Sequence, residues 1–400
     1  MTGALLFTLP FVPKPVGNTV LLLFSFLMLL AGAKIFTNGV EWLGNRLGIS
    51  ESATGSILAA VGTALPETMI PVIAILNAQL NPSEKAQAAA DSVGVGAILG
   101  APFMLATIAM FMIGVSVIYF SDRRPSGRNF SFKAESTKRD LSFFLVGYSL
   151  AFLAALIQQT SIQYAIAGLL VVLYFFYLYR SLQSGELVET EELDDLMLGR
   201  LVNQGRRRVT DGGVRQEHAV DPPRILVVTQ TLFALGIIIA GAHLFVTEVK
   251  WAAGAVGIPA AVISLMLAPL ATELPEKFNS VIWISQDKDT LAIGNITGAM
   301  AFQGTLPVTL GIVFTSWNLQ LPLSVSGLLH PTDPAGLLNG VSAIFAIVSG
   351  VILFTRARRV EGGDMNPRPF LLGGVFYAGF VGLLLYFVLT GQLTGAVAGH

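Results

Sequence analysis

The chain has 400 residues, of which 53% are hydrophobic and only 12% charged, and its mean hydropathy is +0.69. Soluble domains do not have this composition, so the sequence predicts a protein that is solvated by the lipid bilayer. A net charge of -1 says little about partners, and no nucleic-acid partner is expected. The absence of cysteine excludes disulfides and thiolate metal sites, which leaves oxygen ligands, the ones that hard cations prefer.

Apolar runs near the ~20 residues needed to cross a hydrocarbon core recur along the chain, separated by short polar breaks. They predict an all-α membrane protein with about ten transmembrane helices. The predicted helices are 17–43, 51–78, 86–119, 141–158, 163–180, 225–249, 258–285, 290–316, 335–355 and 370–390. The second, third, seventh and eighth contain Gly or Pro at mid-depth, which is tolerated where neighbouring groups satisfy the freed backbone. These four helices are the candidates for a functional site.

One long hydrophilic stretch, residues 181–224, joins a first five-helix unit (17–180) to a second (225–390). It has an acidic run followed by three consecutive arginines from Arg206 to Arg208. This pattern favours a flexible, solvated linker over the alternative of a regulatory ion site.

The distribution of basic residues predicts the orientation in the membrane. Nineteen of the 24 lysines and arginines lie in loops that follow odd-numbered helices, and three lie at the termini or in the other loops. The positive-inside rule then predicts a cytoplasmic 181–224 linker and both termini outside the cytoplasm, as in a protein of the bacterial inner membrane. Residues 1–16 have no basic n-region, so a cleaved signal peptide is not expected.

An internal repeat relates the two halves. A shift of 209 residues aligns 31–67 with 240–276 without a gap, and fourteen of the thirty-seven pairs are identical. This indicates duplication of a five-helix unit. Because five is odd, the second copy must enter the membrane inverted relative to the first, which is the architecture of many secondary transporters.

The best matched polar feature of the repeat is a Thr-x-Leu-Pro-Glu motif in the middle of a predicted helix. It ends at Glu67 in the first half and at Glu276 in the second, with Thr63 and Thr272 at its start. Each proline frees a backbone carbonyl one turn earlier, so carboxylate, hydroxyl and carbonyl oxygens collect at one point. A cation between two buried glutamates removes the cost of both charges, and its replacement by other cations is antiport. The alternative is that each glutamate is protonated and makes a structural hydrogen bond.

These motifs resemble the repeats of the calcium/cation antiporter superfamily, which includes sodium/calcium and calcium/proton exchangers and has G-T-S-L-P-E as its hallmark. The resemblance covers the ten-helix layout. It implies a sodium/calcium exchanger-like fold of two inverted repeats, and an ion site lined by Thr63, Glu67, Thr272 and Glu276.

The chain departs from the family motifs at several positions. The serine of the motif is Ala64 in the first repeat and Glu273 in the second. Glu273 precedes Glu276 by three residues, so we interpret it as a further site carboxylate that favours proton coupling or compensates for missing ligands.

The family pattern of the third and eighth helices also has weaker matches here. It places Asn295 and Gln303 on the eighth helix, and Asp91 and Leu99 on the third, where leucine offers no side-chain ligand. Asp91, Asn295 and Gln303 are therefore candidate ligands, with helix capping as the alternative for Asp91 and Asn295.

The remaining features of the sequence do not indicate another class of function. Trp42 and Trp251 are interpreted as residues of the interfacial aromatic belts. The sequence has no Ser/His pair, metalloprotease motif or aspartate-rich prenyl site, so we predict no enzyme, no catalytic residue and no cofactor apart from the transported Ca2+, Na+ or H+. The predicted partners are inorganic cations and the lipid bilayer. Exchange of another cation and a passive cation channel remain alternatives.

Overall fold

A computed structural model of the chain describes residues 14–62, 64, 79–80, 95–157, 159–183, 194–199, 222–255, 273–319, 321, 325–360 and 364–393. Within these ranges, eight helices are long and apolar enough to cross a membrane. The two other predicted helices, the second and the seventh, are described only in part. The fold is therefore the predicted all-helical membrane protein.

The first half contains helices α1 to α5 and one short strand. Their bounds are Lys14–Leu47 (α1); Glu51–Ala53, continuing as the π-helical Thr54–Ala59 (α2); Val95–Met104, the π-helical Leu105–Ala109 and Met110–Tyr119 (α3); Phe130–Ser131 (β1); Ala134–Leu156 (α4); and Thr160–Leu182 (α5).

The second half contains helices α6 to α10 and a second strand. Their bounds are Arg224–Ala255 (α6); Leu274–Ser285 (α7); Asp289–Gln303, continuing as Leu306–Phe314 (α8); Pro334–Ala357 (α9); Asp364–Met365 (β2); and Arg368–Leu389 (α10), with a short helix Val325–Leu329 before α9.

Among the described residues, two predicted helices, the fourth and the seventh, differ from the structure by more than three residues at the start. The predicted fourth helix starts at 141, but α4 starts at Ala134, because Asp140 finds partners on α2 and α8 that hydropathy cannot show. The seventh was predicted to run from 258 to 285. Residues 258–272 lie outside the described residues, and in the described part α7 starts at Leu274, after Glu273 at its N-cap. Pro275 lies in its first turn, where the missing N–H is not needed.

Loops that follow odd-numbered helices meet on one side of the molecule, which we call the linker face. Strands β1 and β2, from the loops after α3 and α9, pair antiparallel with Phe130 opposite Met365. The buried Arg124, in the loop after α3, forms an ion pair with Asp289 beyond α7, at 2.6 Å, and donates to the Ile284 carbonyl at 3.0 Å. These contacts fit the alternating thread of helices that the sequence predicts.

Residues 194–199 of the linker, here called the linker strap, dock against α1 and α6. The Trp42 indole N–H donates to the Asp194 carbonyl at 2.8 Å, and Trp42 packs with Leu196 and Val227. The Met197 amide donates to the Asn38 side chain at 3.0 Å. Trp42 is only 1% exposed, so its assignment to the interfacial belt was wrong: the linker strap covers it.

The first stretch of α8 is the most enclosed part of the described chain, since every residue from Asp289 to Gln303 is buried. Gly294 and Gly298 let it approach the π-helical turn of α2 closely. A Cβ atom at Gly298 would lie only 2.2 Å from the Ser56 carbonyl oxygen. The G-x-x-x-G spacing thus serves the close packing of two membrane helices from opposite repeats.

Candidate cation site

The structure describes four of the eight residues that the sequence predicts as ion ligands. Thr63, Glu67, Asp91 and Thr272 lie outside the described residues. The described four are all buried, and they are Glu273, Glu276, Asn295 and Gln303.

Glu273 and Glu276 lie at the first turn of α7. Glu273 is the N-cap residue and Glu276 is in the first helical turn, and both are fully buried. A helix N-terminus carries a partial positive charge, which stabilises carboxylates that would otherwise be costly in a membrane. The Pro-Glu motif therefore places the N-terminus of α7 next to the glutamate that the motif contains.

Asn295 joins α8 to this turn. Its side-chain Nδ2 donates to the Glu276 carbonyl at 3.0 Å and to the Ser280 hydroxyl at 3.2 Å. Asn295 lies inside α8, one turn or more from either end of its first stretch, so it is not a helix cap. It fixes the backbone that carries Glu276.

The other end of this stretch of α8 lies near the first-repeat motif. Gln303 is its last residue, and Ala301 and Phe302 pack in one cluster with Ala64. Helix α8 therefore contacts the turn that starts at Glu273 through Asn295, and the residue after Thr63 through its C-terminal end. Leu99, in contrast, is fully buried and contributes its carbonyl to the Tyr148 hydroxyl at 2.8 Å.

Lys277 is a charged residue of this region that the sequence analysis did not assign a role. Its ammonium Nζ lies 2.8 Å from Glu273 Oε2 and 3.3 Å from the Glu273 carbonyl, and both side chains are completely buried. The signal was present in the sequence, because Glu and Lys four residues apart lie on one helical face. Glu273 is thus an ion-paired carboxylate in this structure.

Several buried polar atoms near the start of α7 lack a hydrogen-bond partner among the residues that the structure describes. They are Glu273 Oε1, both polar side-chain atoms of Asn279, and Asn295 Oδ1. Carboxylate and amide oxygens suit hard cations. No group of three or more His, Asp or Glu side chains within the described ranges is arranged to hold a metal.

Another buried carboxylate, Asp140 on α4, ties together helices from both repeats. It accepts hydrogen bonds from Ser56 of α2 at 2.6 Å and from Thr297 of α8 at 2.8 Å, and it forms an ion pair with Arg139 at 3.1 Å. This contact could not be predicted from the sequence, since the three helices are far apart in the chain.

Comparisons with known proteins agree with this fold. Solved structures of the sodium-calcium exchanger NCX_Mj match over nearly their whole length. The form soaked with 2.5 mM Na+ and 0.1 mM Sr2+ is 16% identical, with a TM-score of 0.63 over 92% of this chain and 98% of that one. The form soaked with zero Na+ and Ca2+ is 17% identical, with a TM-score of 0.60 over 91% and 98%.

At 16% to 17% identity, the similarity to these solved structures shows the fold alone. No curated protein sequence matches the chain. A family model described as "Sodium/calcium exchanger protein" matches residues 17–183 and 226–390, one segment for each predicted repeat. The chain therefore belongs to the sodium/calcium exchanger family.

Proposed function

We propose that the protein is a secondary active antiporter that exchanges Ca2+ for Na+ or H+ by alternating access. The ion site is formed by Glu67 and Glu276, with Thr63 and Thr272 as hydroxyl ligands. The observation that carries this proposal is the complete burial of Glu276 in the first turn of a helix that starts inside the protein, held against α8 by Asn295. Membership of the family supports cation exchange.

The charges of the two glutamates explain why such a site would exchange cations. An ionised glutamate within the membrane is stable only beside a positive charge, and the repeat supplies a second glutamate at the equivalent position. A divalent cation neutralises both, whereas an empty site leaves two like charges in a medium of low polarity. The site therefore favours states in which cations are bound, and release of one kind requires binding of another.

The test is calcium uptake into proteoliposomes under imposed sodium or proton gradients. Glu67→Gln and Glu276→Gln should each reduce exchange to background, because each removes a charge that the bound cation neutralises. Glu135→Gln, at an exposed position on α4, is the matched control and should transport normally. Full exchange by either site variant, with normal membrane insertion of the protein, would falsify the site.

A passive cation channel is the rival function, and the same vesicles separate the two. An antiporter accumulates calcium inside the vesicles against the calcium gradient when the counter-ion is more concentrated inside than outside. A channel only dissipates the calcium gradient. Uptake that never exceeds the external calcium concentration would favour the channel.

We also propose that the linker face is cytoplasmic in a bacterial inner membrane, with both termini outside. The asymmetry of nineteen basic residues against three supports this orientation, as does the meeting of loops after odd-numbered helices on one face. A reporter fused after His400 that is active only outside the cytoplasm should give a signal. Activity of a cytoplasm-specific reporter at that position would reverse the orientation.

A further inference from the structure

The ion pair between Glu273 and Lys277 is unusual for its place in the molecule. Both side chains have no exposure, and their charged atoms are 2.8 Å apart. Lys277 follows Glu276 directly in the chain, and its ammonium group contacts Glu273, the N-cap residue of the turn that carries Glu276. Burying two charges costs several kcal/mol per ion unless they are closely paired, and ionisable residues inside membrane helices mark functional sites by default.

The pair belongs to one repeat only. Under the shift of 209 residues that relates the repeats, Glu273 corresponds to Ala64 and Lys277 to Thr68, and neither is charged. Packing that both repeats share does not demand an ion pair here, because the first repeat fills the position of Glu273 with the buried Ala64. The pair therefore adds a feature to the second half that the common fold does not require.

The charge of the site follows from these side chains. Glu273 and Glu276 with the Lys277 ammonium leave one net negative charge on the second repeat, and Glu67 adds one from the first. Two positive charges neutralise this site, which is one Ca2+ or two monovalent cations. Without the ammonium, three positive charges would be needed.

We propose that the Lys277 ammonium is a resident cation of the transport site, which permanently supplies the charge that an additional transported ion would otherwise bring. The inference rests on the proposed function. Its consequence is an exchange in which one Ca2+ crosses against two monovalent cations, so no net charge moves in a cycle.

The experiment measures how membrane potential affects the calcium accumulation that proteoliposomes reach at equilibrium, with the potential set by potassium and valinomycin. A cycle that moves one net charge changes the accumulation ratio roughly 45-fold per 100 mV, whereas an electroneutral cycle does not respond. Calcium accumulation by the wild-type protein should not depend on membrane potential. Accumulation by Lys277→Arg, which keeps the charge, should not depend on it either.

The variants then test the lysine itself. Lys277→Gln should become voltage-dependent by roughly 45-fold per 100 mV, since a third cation must replace the lost charge. The double variant Glu273→Gln, Lys277→Gln removes the pair without changing the net charge, so it should remain electroneutral. Lys34→Gln, which alters an exposed lysine on α1, is the matched control.

The outcomes separate the two proposals. Absence of uphill calcium exchange by the wild type would refute the proposed function. Exchange by the wild type that depends on voltage would overturn the resident-cation proposal, and so would electroneutral exchange by Lys277→Gln. If Lys277→Gln does not fold, the wild type and the double variant decide: voltage dependence in either one overturns the proposal.

Discussion

Replacement of Gly298 by alanine should destabilise the protein strongly, although it adds only one methyl group. The new Cβ would lie 2.2 Å from the Ser56 carbonyl oxygen and 2.5 Å from the Ser56 Cα atom. Both atoms belong to the backbone, so no side chain can rotate away, and α8 and α2 must separate by about 1 Å to restore ordinary contacts.

The magnitude follows from two opposing effects. Overpacking costs ~1–3 kcal/mol where side chains can adjust, and a contact between two backbones should lie at or above the upper end. The higher helix propensity of alanine returns at most about 1 kcal/mol. Separation of the helices would also lengthen the hydrogen bonds of Ser56 and Thr297 to Asp140, at 2.6 and 2.8 Å in the structure.

The assay is the apparent Tm of the purified protein in detergent, followed by size-exclusion chromatography after heating. We expect Gly298→Ala to lower the Tm by at least about 2 °C. Gly294→Ala, one turn earlier, is the near control, because its nearest contact is the Ser56 hydroxyl at 3.2 Å. Gly382→Ala, where nothing lies within 4 Å, is the neutral control. Equal Tm values for all three variants would refute the close approach of α8 to α2.

Two further predictions concern the contacts of Asp140 and Trp42. Asp140→Leu should lower stability by about 3 kcal/mol or more, because it removes the buried carboxylate that Arg139, Ser56 and Thr297 share. The exposed Asp122→Asn should not lower it, and an unchanged Tm of Asp140→Leu would contradict the network. Trp42→Ala should accelerate hydrogen exchange at the Met197 and Leu198 amides, which donate to Asn38 and Gln230. The control is Leu23→Ala, at an exposed position of α1. Equal exchange rates in the two variants would show that Trp42 does not hold the linker strap.

Hydropathy and the internal repeat were enough to predict the helical membrane fold, because crossing the bilayer imposes length and composition on each segment separately. They could not predict the start of α4, since the partners of Asp140 come from α2 and α8. They also misplaced Trp42, whose burial depends on a contact with Asp194, 152 residues along the chain. Such long-range packing leaves no periodic signal in a single sequence.

The parts of the candidate site that could be predicted are those that depend on residues close together in the chain. The Pro-Glu motif indicates a helix start, and α7 begins there. The Glu273–Lys277 pair also has a local spacing of four residues, yet its importance depends on complete burial, which the structure shows and the spacing does not. The family pattern suggested Asn295 as a ligand, but it could not reveal the bond from Asn295 to the Glu276 carbonyl, which joins two helices.

The contacts of the linker face also have a consequence for biosynthesis. Phe130 pairs with Met365, and the buried Arg124 requires Asp289, so this face joins segments that leave the ribosome far apart in time. At roughly 5–20 residues per second, β1 waits about 10–50 s for β2 to be made. For the first roughly 8–33 s of that interval, until Asp289 is made, the guanidinium of Arg124 has only its local partners. The first five helices are held in the bilayer by their own hydropathy. The face closes last, when the final two helices are already being inserted.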